Sequence, residues 1–236
     1  MERLVTYEHA GVELEGLLAV GDRVSGTRPG VVIAHAWGGR SEFEDKVAGK
    51  LAELGYAGFA IDMYGKGVRG SNREENAALI QPFLQDRSML QARISSAVKV
   101  LREQNEVDSE RVAAIGYCFG GLCVLDLARS GADVRGVVSV HGLFTPPEPL
   151  PSGPVRAKVL ALHGNDDPMV PPEAVNALEQ ELTAAGADWQ IHVYGGVMHA
   201  FTNPKANDPG FGTVYDASAD RRSWIALQQF LQEVFV

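Results

Sequence analysis

Cysteine is scarce in this chain of 236 residues, which contains only Cys118 and Cys123. Two thiols in one short segment cannot build a disulfide framework. Neither a Cys-x-x-Cys redox motif nor a paired metal-ligand motif is present. We therefore expect no structural disulfide and no metal site.

Long apolar runs and an excess of positive charge are also missing. The run Val31–Ala34 is far too short to cross a bilayer. The first residues contain no basic segment followed by an apolar one, so we expect no signal peptide. Lys and Arg total 21 against 30 Asp and Glu, a formal net charge of -9. This balance favours solubility and argues against nucleic acid or an anionic membrane as a partner. With no signal peptide and no membrane span expected, we predict a cytoplasmic protein.

The hydrophobic content of 45% is sufficient for a large core, and no repeat or interdomain linker is visible. We therefore expect one domain over residues 1–236. Strand-like and helix-like segments alternate, which predicts an α/β fold with an open, twisted, mostly parallel sheet and helices on both faces. The predicted strands are Leu4–Tyr7, Glu13–Ala19, Val31–Ala34, Ala57–Asp62, Arg111–Ile115, Val134–Val140, Val155–Leu162 and Trp189–Tyr194. The predicted helices run from Ser41 to about Leu54 and over Asp86–Gln104, Phe119–Arg129, Pro172–Ala185 and Ala217–Phe235.

Two loops and the C-terminus complete this reading of the chain. Met63–Arg73, rich in glycine and basic residues, and the proline-rich Pro146–Pro154 are predicted loops. An apolar C-terminus from Leu231 to Val236, expected to be exposed, would permit a homodimer as well as a monomer.

The segment Gly116-Tyr117-Cys118-Phe119-Gly120 lies between a predicted strand and a predicted helix. Gly-x-nucleophile-x-Gly at such a junction is the nucleophile elbow, in which serine is usual and cysteine stands here. The flanking glycines allow a tight turn where a Cβ would clash. The turn raises the thiol above the sheet at a helix N-terminus, which favours the thiolate. Cys118 is therefore the predicted nucleophile, and Cys123 a packed core thiol.

An acid and a base follow in the chain order that this type of elbow requires, nucleophile, acid, histidine. His199 stands in a loop after the last predicted strand, which suits a mobile catalytic base. Asp166 and Asp167 follow the strand before it, and their chemistry alone does not separate them; one is predicted to be a turn residue. Both loops follow strands, so we expect them at the sheet edge that carries Cys118. His141 also ends a strand and is a candidate pocket residue.

Three motifs together resemble the dienelactone hydrolase (carboxymethylenebutenolidase) family of α/β-hydrolases. They are Gly116-Tyr-Cys-Phe-Gly-Gly121, Gly164-x-x-Asp167-x-x-Val170-Pro171 and Gly196-x-x-His199-x-Phe201, and the resemblance extends from about Val31 to the C-terminus. In the family pattern the acid is the residue three before the valine of Val-Pro, which selects Asp167. The resemblance implies a small hydrolase without a cofactor. It also implies an oxyanion hole formed by the backbone N–H groups of Trp37 and Phe119.

Two departures from the family pattern concern the substrate. Members that hydrolyse dienelactone carry a glutamate beside the oxyanion-hole residue, where this chain has Ala36. We therefore expect His199 to activate the thiol more directly, with His35 nearby. Those members also place an arginine shortly after the catalytic histidine to bind the substrate carboxylate, whereas Asn203 in this stretch cannot neutralise one. A positive charge for the substrate could also come from Lys66, Arg69 or Arg73. The favoured interpretation of these three residues is that they are solvated loop cations.

These observations predict hydrolysis of a small neutral ester or lactone, including activated aryl esters, through an acyl-thioester on Cys118. Neutral phosphotriesters extend this prediction, because the same nucleophile and oxyanion donors can serve attack at phosphorus. The side chains expected to contact the substrate are His35, Ala36, Tyr64, Phe144, Met198 and Phe201.

Three alternatives stay open at this point. One is a genuine dienelactone hydrolase acting on an anionic lactone. The second is a binding module without turnover, since a fold does not fix a function. The third is a thiol redox sensor in which Cys118 and Cys123 are the reactive and resolving thiols.

Overall fold

The structure is a computed structural model that describes residues 1–21 and 26–236. The chain divides into two compact units, Met1–Ile115 and Gly116–Val236. Within the described residues there is one sheet of eight strands, a second sheet of two short strands, and six helices. This mixed sheet with helices confirms the predicted α/β class. The single domain predicted for residues 1–236 stays a prediction.

The first unit contains most of the strands that form antiparallel pairs. Its elements, the last of which ends just beyond it, are β1 (Glu2–His9), β2 (Val12–Val20), β3 (Arg28–Ala34), α1 (Glu42–Glu53), β4 (Ala57–Ala60), α2 (Arg73–Gln85), α3 (Arg87–Arg102) and β5 (Val107–Tyr117). β1 and β2 form an antiparallel hairpin in which Glu2 faces Ala19. β4 pairs antiparallel with β2 and parallel with β3.

The second unit carries the loops in which the candidate triad was predicted. Its elements are α4 (Phe119–Arg129), β6 (Gly136–Val140), β7 (Lys158–Gly164), α5 (Pro172–Ala184), β8 (Trp189–Tyr194), β9 (Asn207–Asp208), β10 (Thr213–Val214) and α6 (Ala217–Val234). β7 pairs parallel with both β6 and β8. Because parallel strands end at one edge, the segments that follow β6, β7 and β8 emerge on the same side.

Local sequence signals account for several element boundaries. Ser41 caps α1, and its capping box with Glu44 confirms the predicted helix start. The hairpin turn at Ala10 and Gly11 has φ of 53° and 74°, as a two-residue hairpin connection requires. Residues of β6 are all buried, which explains why they are apolar apart from Ser139.

Helix α2 and the β9–β10 hairpin were not predicted from the sequence. Phe83 is the only buried residue of α2, so the helix has no periodic apolar stripe to reveal it. Pro82 inside the helix is a further signal against helical structure. β9 and β10 have two residues each, too few for an alternating pattern.

The C-terminal segment corrects one expectation. Leu231, Val234 and Phe235 are buried, and Val236 alone of the predicted apolar patch is fully exposed. The patch therefore gives no support for a homodimer, and the oligomeric state stays open.

No helix of the described residues is long and apolar enough to cross a membrane. The cytoplasmic location stays a prediction.

A buried ionic cluster joins the end of α4 to α5. The guanidinium of Arg129 lies 2.7 Å from Glu181 and 3.1 Å from Asp126, and it donates to the carbonyl oxygen of Phe144 at 2.8 Å. The side chains of Arg129 and Asp126 are 2% and 0% exposed. Such a cluster is stable only while every charge keeps its partner, because uncompensated charge is strongly disfavoured in the interior.

Arg129→Met is expected to lower the free energy of unfolding by about 3–5 kcal/mol, because it leaves the buried Asp126 and the nearly buried Glu181 without their cation. Urea unfolding followed by circular dichroism measures the change. Arg111→Met is the matched control, since Arg111 pairs with Asp108 at 2.7 Å with both side chains partly exposed. There the change should stay below about 1 kcal/mol. Equally small changes in both variants would contradict the role given to Arg129.

Candidate active site

Cys118 stands at the junction of β5 and α4 in a backbone conformation that side chains rarely adopt. Its φ is 55° and its ψ is -114°, and it is the N-cap residue of α4. Its N–H donates to the carbonyl oxygen of Val140 at 3.1 Å, and its own carbonyl accepts from Gly121 at 2.9 Å. Strained residues of this kind persist where the surroundings over-determine them, and they cluster at functional sites. The junction has the form of a nucleophile elbow.

Gly116 allows the turn to close. A Cβ at this position would overlap the carbonyl group of Gly120 in the first turn of α4. The strand and the helix can therefore approach this closely only without a side chain at residue 116. Two residues further on, the Cys118 side chain is partly exposed, whereas Cys123 is fully buried in α4. Both are thiols.

Asp167 and His199 form a buried pair. Nδ1 of His199 lies 2.7 Å from Oδ2 of Asp167, and the two side chains are 1% and 0% exposed. The other carboxylate oxygen of Asp167 accepts the N–H of Met169 at 2.9 Å. Asp166 is exposed and hydrogen-bonds to the side chain of Asn165. The geometry therefore pairs His199 with Asp167 and not with its neighbour.

The β9–β10 hairpin fixes the loop that carries His199. The N–H of His199 donates to Gly212 at 2.9 Å, and its carbonyl accepts from Val214 at 3.0 Å. His199 also forms an isolated bridge with Thr213. This short hairpin thus holds the backbone of the candidate base on both sides. The sequence offered no signal for it beyond the spacing of Gly210 and Gly212.

The electrostatics of His199 tie it to Cys118. Burial lowers the pKa of His199, but the charge of Cys118 and the hydrogen bond to Asp167 outweigh it and raise this pKa to about 10. Nε2 of His199 is buried, and a hydrogen bond with the side chain of Cys118 is among the interactions that raise the pKa of this imidazole. The imidazole is therefore held by Asp167 through one nitrogen, and its other nitrogen is available for a proton shared with the thiol.

Several predicted pocket residues of this unit lie in the core. Phe144 and Phe201 are at most 3% exposed, and Met198 is half-buried. Phe144 packs with its ring centroid 5.5 Å from that of His163. Contact of these side chains with a substrate stays a prediction.

The remaining predicted site residues lie in the first unit and share one hydrogen-bonded cluster. Nδ1 of His35 lies 2.6 Å from the carbonyl oxygen of Ala36, and its Nε2 accepts the N–H of Met63. The hydroxyl of Tyr64 donates to the carbonyl oxygen of Trp37 at 2.9 Å. His35 and Tyr64 therefore hold the loop of the predicted oxyanion donor, and a direct contact of either with substrate stays a prediction.

Of the predicted loop cations, Arg69 and Arg73 are exposed, and Lys66 has carboxylate partners in the same unit. Nζ of Lys66 lies 2.8 Å from Glu13 and 3.6 Å from Glu15. Arg93, which the sequence did not single out, donates to His9 and to the carbonyl oxygen of Met63. Lys66 is thus charge-compensated by β2, in line with its interpretation as a loop cation. Among the described residues no cluster of three or more His, Cys, Asp or Glu is arranged to hold a metal ion.

Comparison with known proteins places this architecture in a class. A thermophilic esterase from Thermogutta terrifontis superimposes with a TM-score of 0.72 at 14% identity, over 98% of this chain and 94% of the esterase. A likeness at this level of identity shows the fold alone. The fold is that of the α/β-hydrolases, as expected.

The family model of the dienelactone hydrolase family matches residues 14–235. The chain belongs to the dienelactone hydrolase family, and the protein is a hydrolase of ester or lactone bonds. It is 36% identical to a dienelactone hydrolase-like promiscuous phosphotriesterase from metagenomic libraries, with a TM-score of 0.95 over 100% of this chain and 99% of that one. It is 38% identical to an uncharacterized protein of Caenorhabditis elegans over 149 residues, 62% of this chain and 94% of that protein. Membership of an enzyme family argues against the alternative of a binding module without turnover.

Proposed function

We propose that this hydrolase cleaves neutral esters and lactones with a Cys118-His199-Asp167 triad through an acyl-thioester intermediate. The observation that carries the proposal is the buried Asp167–His199 pair, joined at 2.7 Å, whose imidazole has its pKa raised by Cys118. A charged imidazole beside a thiol at an elbow is the arrangement that activates a cysteine nucleophile.

In the first half-reaction the thiolate of Cys118 attacks the carbonyl carbon and forms a C–S bond. The carbonyl electron pair moves onto oxygen, where the backbone N–H groups of Trp37 and Phe119 are proposed to receive the negative charge. The C–O bond to the leaving group then breaks, and the proton of His199 passes to the departing alkoxide. Loss of one oxyanion donor of this kind typically lowers kcat by about 10²–10³.

In the second half-reaction the neutral imidazole of His199 takes a proton from water, and the resulting hydroxide attacks the thioester. A C–O bond forms, the C–S bond breaks, and the carboxylic acid leaves. The thiolate and the imidazolium are thereby restored. Asp167 keeps Nδ1 protonated throughout, so that Nε2 alternates between accepting and donating a proton.

The proposed substrate is neutral because two positions that serve an anionic lactone in the family pattern carry other residues here. Asn203 stands in the stretch where dienelactone-hydrolysing family members carry arginine, and Ala36 in the position of their glutamate. Lys66 is compensated by Glu13 and Glu15. A neutral acyl group needs no such clamp. A genuine dienelactone hydrolase remains the alternative, and it predicts a preference for the anionic substrate.

Neutral phosphotriesters are a second proposed substrate class. The observation that favours them is the 36% identity, over the whole chain, to the promiscuous phosphotriesterase. Attack by Cys118 on phosphorus would develop negative charge on the phosphoryl oxygen, which the same two backbone donors are proposed to stabilise.

Stopped-flow release of p-nitrophenol from p-nitrophenyl acetate tests the mechanism. We expect a burst near one equivalent per site, followed by slower turnover, because acylation of Cys118 precedes hydrolysis of the thioester. Pretreatment with iodoacetamide should abolish both phases. Unchanged hydrolysis after complete alkylation of Cys118 would contradict the triad.

A further inference from the structure

A second histidine, His141, lies directly against the candidate base. Its ring packs edge-on to that of His199, with centroids 5.1 Å apart and an interplanar angle of 63°. On another side its ring meets Phe201 at 5.1 Å and 83°. His141 is 3% exposed, so these contacts lie inside the protein. None of the steps proposed above uses this residue.

The backbone of His141 is held in an uncommon conformation. Its φ is 38°, and its N–H donates to the carbonyl oxygen of Leu162 at 2.8 Å. Cys118 and Ala200 also have positive φ, at 55° and 58°. The strained backbone positions of this second unit thus include Cys118, the proposed nucleophile. They also include Ala200, which follows the proposed base His199, and His141, which packs on that base. Strain of this kind persists where function or surroundings over-determine it.

The side chain of His141 is anchored by a hydroxyl. Its Nε2 lies 2.9 Å from Oγ1 of Thr202, whereas its Nδ1 is buried with no hydrogen-bond partner among the described residues. The hydrogen bond to Thr202 therefore anchors the ring through Nε2 in either tautomer, because a hydroxyl can both donate and accept.

We propose that His141 is a positioning residue for His199, a neutral imidazole that Thr202 anchors and whose ring fixes the plane of the catalytic imidazole. Thr202 lies three residues after His199 on the same loop, so the hydrogen bond ties this loop to the end of β6. The N–H of Cys118 donates to Val140, the residue before His141. The end of β6 therefore orients both the nucleophile and the base.

The charge of His141 fits this role. Burial and the positive charge of His199 hold the pKa of His141 well below its usual range. The ring therefore stays neutral at physiological pH, and it adds no cation beside an imidazole that must carry one. Thr202 and Ser223 are both buried hydroxyls, but that of Ser223 donates to the carbonyl oxygen of Asp220. Ser223 thus offers a matched control.

The test compares His141→Phe, Thr202→Val, their double variant, Thr202→Ser and Ser223→Ala in the p-nitrophenyl acetate assay. His141→Phe and Thr202→Val should each lower kcat by about 10- to 100-fold with KM changed less than about twofold, because a misplaced base lowers the rate and not the binding. The kcat of the double variant should be no lower than that of either single variant. Thr202→Ser should recover most of the lost rate, and Ser223→Ala should match the wild type. The rate of alkylation of Cys118 by iodoacetamide should fall with kcat.

This inference rests on the proposed triad, and the same assay separates the two. Folded Thr202→Val with wild-type kcat, while Cys118→Ala is inactive, would overturn the role of His141 and leave the triad intact. Losses that multiply in the double variant, or that appear in KM alone, would also overturn it. Full activity of Cys118→Ala would overturn the triad itself. Because Thr202→Val is nearly isosteric, this variant is expected to fold. It can therefore still test the proposal if His141→Phe does not fold.

Discussion

Cys118→Ala is expected to lower kcat for p-nitrophenyl acetate by on the order of 10⁴–10⁶, the loss typical of removing a nucleophile from a triad. Without the thiol no thioester forms, and the remaining rate comes from the oxyanion donors and from binding. The fold should be unaffected, since the side chain is small and partly exposed. Steady-state kinetics of the purified variant, with circular dichroism to verify folding, give the measurement.

Cys123→Ala is the control for this variant. Cys123 is fully buried in the body of α4, and its loss should change stability and not kcat. A thiol redox sensor that used both cysteines would require Cys123 to react, which the rate of its alkylation in the folded protein would reveal. More than about a tenth of wild-type activity in Cys118→Ala would contradict its role as nucleophile.

Asp167→Asn carries the second largest expected effect, a loss of about 10²–10⁴ in kcat. The amide preserves shape, but its NH₂ group can donate to Nδ1 and favour the wrong tautomer of His199. The charge of Asp167 also helps to raise the pKa of His199 to about 10, so the variant should titrate at lower pH. Stopped-flow kinetics and an NMR titration of the imidazole measure the two effects.

Asp166→Asn provides the matched comparison for Asp167→Asn. Asp166 is adjacent in sequence but exposed, and it contacts Asn165 rather than His199. Its replacement should leave both kcat and the titration of His199 near wild type. Equal losses of kcat in the two variants would show that the segment is sensitive to any change. That result would contradict the specific role of Asp167.

Much of the fold could be predicted because its signals are local. The helix Phe119–Arg129 has the predicted bounds, and the capping box at Ser41 marks α1 as expected. α2 escaped prediction because its stability does not come from a buried stripe, as only Phe83 is buried. The C-terminal apolar residues were expected to be exposed, but Leu231 is buried with Leu227 and Phe230 on one face of α6, at a helical spacing that the sequence already shows.

The site was predictable where spacing and chain order carry the chemistry. The elbow around Cys118 and the loops of Asp167 and His199 follow strands, so a common edge could be expected before their geometry was known. The neighbours of His199 could not be predicted. The contact with His141 and the anchor at Thr202 depend on how the ends of strands and loops pack together, and no local pattern encodes that packing.

The central claim is a covalent acyl group on Cys118, and its most direct test is rapid quenching of the enzyme during turnover of p-nitrophenyl acetate. Digestion and mass spectrometry of the acid-quenched enzyme should locate one acetyl group on the peptide that contains Cys118. That group should be absent from Cys118→Ala and should accumulate in step with the burst. An acetyl group on another residue, or a burst with no acylated peptide, would contradict the account.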